Sequence, residues 1–167
     1  MTHRAPLLTG GCQCGAVRYA LYAAPRAGIC HCRMCQKAVG GPFFAWAEIG
    51  RADFVWTRGA PALFRSSSVA QRGFCATCGT PLLFRYDAKP DHIDISIGSL
   101  DTPDAVRPTV ALGTESRLAW CDSGLFDTIA QHLSGSLDSP TDLGAIENYQ
   151  HPDAPTSDEW VQTRRTT

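Results

Sequence analysis

The sequence predicts a mainly β domain of short strands with one or two short helices, organised around bound metal. Short runs rich in β-branched and aromatic residues are separated by Gly and Pro turn signals, and only one longer stretch has a helical period. Seven of the eight cysteines fall into three tight clusters. The 167 residues, 44% hydrophobic and 19% charged, suffice for one domain with its own core.

Taken in order, the first strand is expected at residues 16–22, with Val17, Tyr19 and Leu21 on one face. A glycine-flanked turn before it carries Cys12 and Cys14, its glycines letting the backbone fold round an ion. Pro25 and Gly28 then break the pattern ahead of Cys30-His31-Cys32-Arg33-Met34-Cys35. Residues 36–42 end any helical turn that this cluster starts, and residues 43–49 read as the next strand. Residues 54–56 and 62–65 are short strands on either side of the turn at Arg58-Gly59-Ala60-Pro61. Residues 72–82 hold a knuckle, in which Cys75 and Cys78 point at one metal and Gly79 reverses the chain.

Two more strands follow at residues 82–86 and 92–97, the second with Ile93, Ile95 and Ile97 on one face. Residues 101–106, with Pro103, form a short helical turn or loop. Leu125, Phe126, Ile129 and Leu133 share a helical face between Ser123 as N-cap and Gly135 as C-cap, which makes this the regular helix of the chain. Beyond it the sequence is polar and carries Pro140, Pro152 and Pro155. The expected organisation is a zinc-binding domain over residues 1–135 and a polar C-terminal tail or wrap over 136–167.

Fifteen Lys and Arg against sixteen Asp and Glu give a formal net charge of -1. That balance exerts no overall pull toward nucleic acid or an anionic membrane surface. Residues 1–10 lack the apolar region of a secretory signal, and no stretch approaches the roughly 20 apolar residues of a membrane span. The expected address is cytoplasmic. In a reducing compartment clustered thiols are metal ligands or catalysts more often than disulfides, and a Cys-x-Cys pair closes on itself only through a strained ring.

The pair Cys12 and Cys14 and the pair Cys75 and Cys78 lie far apart in sequence. They meet on one ion only if the intervening strands bring their turns together, and such a meeting is a cross-link. These four are the expected ligands of a closed structural zinc. Cys30, Cys32 and Cys35 lie within six residues and cross-link almost nothing. A local three-sulfur cradle leaves the fourth position of a tetrahedral zinc to water or substrate, as catalysis needs. The expectation is two zinc ions per chain, one structural and one catalytic.

The alternatives are an iron–sulfur cluster, whose usual ferredoxin spacing is not matched, or a single structural zinc. In the latter case the other cysteines are idle or His31 is a fourth ligand. Cys121 is isolated and reads as a buried thiol that could lie near the open position. His92, His132 and His151 have no ligand spacing.

The three motifs together resemble the glutathione-dependent formaldehyde-activating enzyme family, which includes the centromere protein V domain. They are Gly11-Cys12-Gln13-Cys14-Gly15-Ala16-Val17-Arg18-Tyr19, then Cys30-His31-Cys32-Arg33-Met34-Cys35-Gln36-Lys37, then Gly73-Phe74-Cys75-Ala76-Thr77-Cys78-Gly79-Thr80-Pro81-Leu82. The resemblance covers residues 8 to 121 and implies a β-tent-like fold of short antiparallel strands. It implies the same partition of ligands, with Cys12, Cys14, Cys75 and Cys78 structural and Cys30, Cys32 and Cys35 catalytic. It also implies a carbon-sulfur lyase that joins glutathione and formaldehyde to S-hydroxymethylglutathione, so the implied partners are a small thiol such as glutathione and a small aldehyde. Ala111 stands where family members often carry His.

Three thiolates on one dication leave a charge of about -1, which makes a weak Lewis acid but a workable sulfur carrier. Arg33, Lys37 and Arg72 are candidates to offset that charge or to meet substrate carboxylates, against the ordinary role of solvated surface cations. The competing class is a non-enzymatic zinc-binding protein-interaction module, in which the Cys30 cluster is metal-free or closed by a fourth protein ligand. A nucleic-acid zinc ribbon is a third reading, disfavoured by the neutral charge. Whether the fourth position faces a cavity or a protein side chain separates the first two.

Overall fold

Alternation of apolar residues along short runs builds most of the regular structure in the computed structural model, which describes residues 4–121 and 151–157. The strands are β1 (Leu8–Gly11), β2 (Arg18–Leu21), β3 (Arg26–Cys30), β4 (Phe44–Gly50) and β5 (Phe54–Arg58). They continue as β6 (Ala62–Ser67), β7 (Ala70–Phe74), β8 (Pro81–Tyr86), β9 (His92–Ser96) and β10 (Val110–Leu112), with one helix, α1 (Arg33–Val39), between β3 and β4. β1, β2 and β5 pair as a small antiparallel sheet. The other seven form a second sheet in the order β10-β3-β4-β9-β8-β7-β6, antiparallel except for β10 beside β3.

The core lies between the sheets. Val17, Tyr19 and Leu21 meet Ala47, Ile49, Ile93, Ile95 and, just past β9, Ile97. These are the faces that the period-2 pattern selects, and each fully buried Leu or Ile is worth about 1.5–3 kcal/mol of transfer free energy. Behind the core Arg18, 2% exposed, forks onto Asp101 at 2.9 and 2.5 Å, and the Thr9 hydroxyl donates to the same carboxylate at 2.6 Å. This pair ties the small sheet to the segment that leaves β9.

Four strands differ from the sequence expectation. β3 runs straight through Gly28, because the glycine is there for space: a Cβ would sit 2.4 Å from the Trp46 ring and 2.6 Å from Val110. β1, β7 and β10 carry no clear alternation and are held by their neighbours' hydrogen-bond ladders. α1 makes a full helix of the turn expected at the Cys30 cluster, stopped by Gly40 in the left-handed conformation at φ 64°. Pro103–Ala105 is a single 3₁₀ turn, as residues 101–106 suggested.

The helix expected between Ser123 and Gly135, and the domain boundary placed after it, lie outside the described residues. Residues 151–157 lie against the small sheet. The His151 amide donates to the Gln13 carbonyl at 2.8 Å, Arg18 Nη2 to Ala154 O at 2.6 Å, and the Thr57 and Thr156 hydroxyls bond at 2.6 Å. The Arg58 guanidinium also donates to the Ser157 carbonyl. This segment therefore closes over the small sheet beside the first cysteine turn. No helix among the described residues is long and apolar enough to cross a membrane.

Candidate metal centres and the cavity beside them

Two turns carry the first cysteine set. The β1–β2 turn is closed by the Gly15 amide on Cys12 O at 3.0 Å, and the β7–β8 turn by the Gly79 amide on Cys75 O at 2.8 Å. Gly79 takes φ 77°, the left-handed conformation that the knuckle needs. Thr80 joins the turns, accepting from the Gln13 amide at 3.0 Å and bonding Cys78 Sγ at 3.1 Å. The four sulfurs of Cys12, Cys14, Cys75 and Cys78 lie within 4.8 Å of one another. Cys12 and Cys14 are 3.5 Å apart and Cys14 and Cys75 3.8 Å. Ligands at about 2.3 Å from a tetrahedral zinc stand about 3.8 Å from each other, whereas a disulfide requires about 2.05 Å. The set thus has the shape of a closed metal site, and it links the two sheets.

The second set is local. Cys30 ends β3, Cys32 caps α1, and Cys35 sits in the helix; their three sulfurs also lie within 4.8 Å of one another. Gln36 pins this loop by donating to His31 O at 2.8 Å and Ser116 O at 2.9 Å. His31 is not among the convergent ligand atoms; it is buried and packs edge-on to Phe43. Among the described residues no fourth protein ligand closes this set. Instead Cys30, Cys32 and Cys35 line a cavity of about 390 Å³ with Trp46, Phe84 and Arg72.

Burial pushes the Cys30 thiol up to about 12 and raises Cys35. It also opposes ionisation of Cys32, but there the Cys35 and Met34 amides and the neighbouring thiols outweigh it and the thiol is lowered. The closed set divides in the same way: burial raises Cys12 and Cys14, while at Cys78 it is overcome by the Thr80 hydroxyl and amide, which bring that thiol to about 6. Crowded thiols that mostly resist ionisation become thiolates together when a dication supplies the missing charge. Either set could hold a metal ion.

Of the three candidate cations Arg33, Lys37 and Arg72, strand pairing brings Arg72 to the cysteines. Its Nη2 lies 3.3 Å from Cys35 Sγ, and its guanidinium stacks on Phe84 at 4.9 Å from the ring centroid. Its reading as a solvated cation fails because β7 and β8 pair, setting it directly opposite Phe84. Arg33 bonds Gln36 from an exposed position, and Lys37 lies on the outer side of α1. Cys121 is half-buried in a 3₁₀ turn and joins neither set. Ala111 is exposed on β10, while its neighbour Leu112 lines the cavity. His92 lines the same cavity, and His132 lies outside the described residues.

Fold and site together define a mainly β protein with one four-cysteine centre between the sheets and one three-cysteine centre that opens onto a cavity. Residues 7–116 match the model of the glutathione-dependent formaldehyde-activating enzyme family, and the chain belongs to that family. It is 33% identical over 82 residues to an uncharacterized lyase of Schizosaccharomyces pombe, an alignment covering 48% of this chain and 59% of that relative. The chain thus spans less than two thirds of that relative's length. It is 29% identical over 130 residues to a Halomonas elongata protein provisionally named a glutathione-dependent formaldehyde-activating enzyme, covering 70% of this chain and 80% of the other. A Rhodobacter sphaeroides protein of known structure has the same fold, with a TM-score of 0.50 at 23% identity, over 62% of this chain and 98% of its own.

Proposed function

We propose that the chain is a zinc-dependent carbon-sulfur lyase that joins a thiol to a small aldehyde and reverses the step, with glutathione and formaldehyde as the pair. The observation that carries this reading is the three-cysteine cradle of Cys30, Cys32 and Cys35, which no other described residue closes and which faces the cavity. The name of the family and those of both relatives point the same way. Zinc on this cradle would supply an open position for the substrate sulfur and lower the pKa of its thiol.

The chain's own residues do the rest. Arg72 places positive charge beside Cys35, offsetting the excess negative charge of three thiolates. Trp46 and Phe84 form apolar walls that keep water from the reacting carbon. In the forward step the thiol gives up its proton, its sulfur forms a bond to the carbonyl carbon, the carbonyl π pair moves to oxygen, and that oxygen takes up one proton, so that none is gained or lost overall. The reverse step returns the proton, breaks the C–S bond and frees the aldehyde. Cys12, Cys14, Cys75 and Cys78 hold a structural zinc in this reading, in a domain ending near residue 135, and thiols in this state suit the reducing cytoplasm.

Metal analysis tests the division of labour. Wild type is expected to carry two zinc per chain, Cys35→Ser to fold with about one, and Cys75→Ser to be unfolded or insoluble, because a structural zinc contributes folding energy outright. Exchange spectroscopy on glutathione and formaldehyde tests the chemistry. A rate no faster than the spontaneous one rules out the enzyme.

A further inference from the structure

Strand register lines up one row of side chains across the cavity face of the large sheet. Arg26 is opposite Glu48, Glu48 opposite Asp94, Asp94 opposite Phe84, and Phe84 opposite Arg72. Directly opposed residues project to the same face, and all five line the cavity that holds the three cysteines. Arg72 ends the row at the sulfur cluster, through its contact with Cys35.

Charge along this row is unevenly matched. Glu48 has Lys89 at 2.9 Å and Arg26 at 4.0 Å. Asp94 has neither a hydrogen bond nor an ion pair among the described residues, although it is half-buried. Its neighbours are the Glu48 carboxylate on one side and the Phe84 ring on the other, with Lys89, His92 and Arg26 farther off. A carboxylate drawn out of water is normally paired, and here Lys89 and Arg26, which also line the cavity, are engaged by Glu48, so Asp94 is left to accept a cation carried by a ligand.

The spacing sets the scale of the distance from that cation to the substrate sulfur. Arg72, at the cysteines, and Asp94 stand two strands apart in the same row, about 10 Å. We infer that Asp94 binds the ammonium group of the thiol cosubstrate, so that the site selects thiols carrying a primary amine about 10 Å from sulfur, with Trp46 and Phe84 packing the chain between. The inference rests on the reading of the Cys30, Cys32 and Cys35 centre as the thiol site. Glutathione meets the requirement, since eight bonds of about 1.5 Å separate its sulfur from its amino nitrogen. Thiols lacking the amine, or carrying it acylated, do not.

The test compares glutathione with N-acetyl-glutathione on zinc-loaded wild type and Asp94→Asn, by exchange kinetics and by calorimetric binding. In wild type, acetylation is expected to raise KM and Kd about tenfold to a hundredfold, the range for a charged hydrogen bond. In Asp94→Asn glutathione should lose the same factor, acetylation should cost nothing more, and kcat should hold within about twofold. Equal handling of the two thiols by wild type, with catalysis intact, overturns the ammonium subsite and leaves the lyase reading standing. A fall in kcat at unchanged KM in Asp94→Asn also overturns it, since that marks proton transfer rather than recognition. Discrimination in binding without any acceleration of exchange supports the subsite and removes the lyase reading.

Discussion

Asp94 makes a stability prediction independent of any substrate. Burial, and then the neighbouring Glu48 carboxylate, push its carboxyl from an ordinary 3.8 up to about 6. The folded state therefore binds this proton more tightly than the unfolded chain does. Between about pH 4 and pH 6 folding takes up a proton, so Asp94's contribution to stability falls as pH rises across that window and is level above it. The full rise is worth about 3 kcal/mol as a ceiling. Asp94→Asn removes the charge at nearly constant shape, so the variant should match wild type near pH 4 and gain on it up to pH 6. Above pH 6 it should stay ahead by up to about 3 kcal/mol, or on the order of 10 °C in Tm. Thermal unfolding of zinc-loaded protein at half-unit intervals from pH 4 to pH 8 measures the difference, and metal loss at low pH is common to both proteins. A gap that does not change with pH, or a wild type more stable than the variant at pH 7, refutes the placement of Asp94 beside Glu48 with no ion-pair partner of its own.

Arg72→Ala should retain both metals by elemental analysis yet slow exchange about tenfold to a hundredfold, the usual cost of losing a group that supports a metal ligand; an unchanged rate removes Arg72 from the site. Asp101→Ala strands Arg18 in the interior and should cost about 3–5 kcal/mol in urea unfolding, whereas Arg18→Met with Asp101→Leu should recover much of that loss. If the double variant is no better than the single one, the pair is more than a matched buried charge. Gly28→Ala forces the Trp46 ring to move and should cost about 1–3 kcal/mol, with a changed near-UV circular dichroism signal from the tryptophan. A fully wild-type spectrum and stability would mean that Trp46 does not lie against β3.

The sulfur clusters were legible because thiol chemistry is local and typed: a thiol pair in a glycine turn has few other uses, and the sulfurs of Cys12 and Cys14 do meet those of Cys75 and Cys78. Strands with one apolar face, such as β2 and β9, were legible for the same reason that they are stable. β7 and β10 were not, since a strand paired on both sides needs no strong pattern of its own, and a three-residue parallel strand is too short to have one. Gly28 was misread because sequence shows only a missing side chain. Structure shows that Trp46 occupies its place.

The cavity residues were hidden for a different reason, and it bears on how the site is built. Arg26, Glu48, Asp94, Phe84 and Arg72 come from five strands, and the feature that unites them is register, which no local pattern records. One face of the large sheet is devoted to the core through Ala47, Leu83 and Ile95. The alternate positions on the same strands are thereby freed from packing and can carry charge toward a ligand. The four-cysteine set secures this arrangement, because its turns terminate β1 and β7 and hold the small sheet against the large one. A slip of one residue at β8 against β9 would send Phe84 into the core and Leu83 into the cavity, and would break the row between Asp94 and Arg72. The four-cysteine set thus bears on the cavity at a distance, by fixing which residues of the sheet face the three-cysteine one.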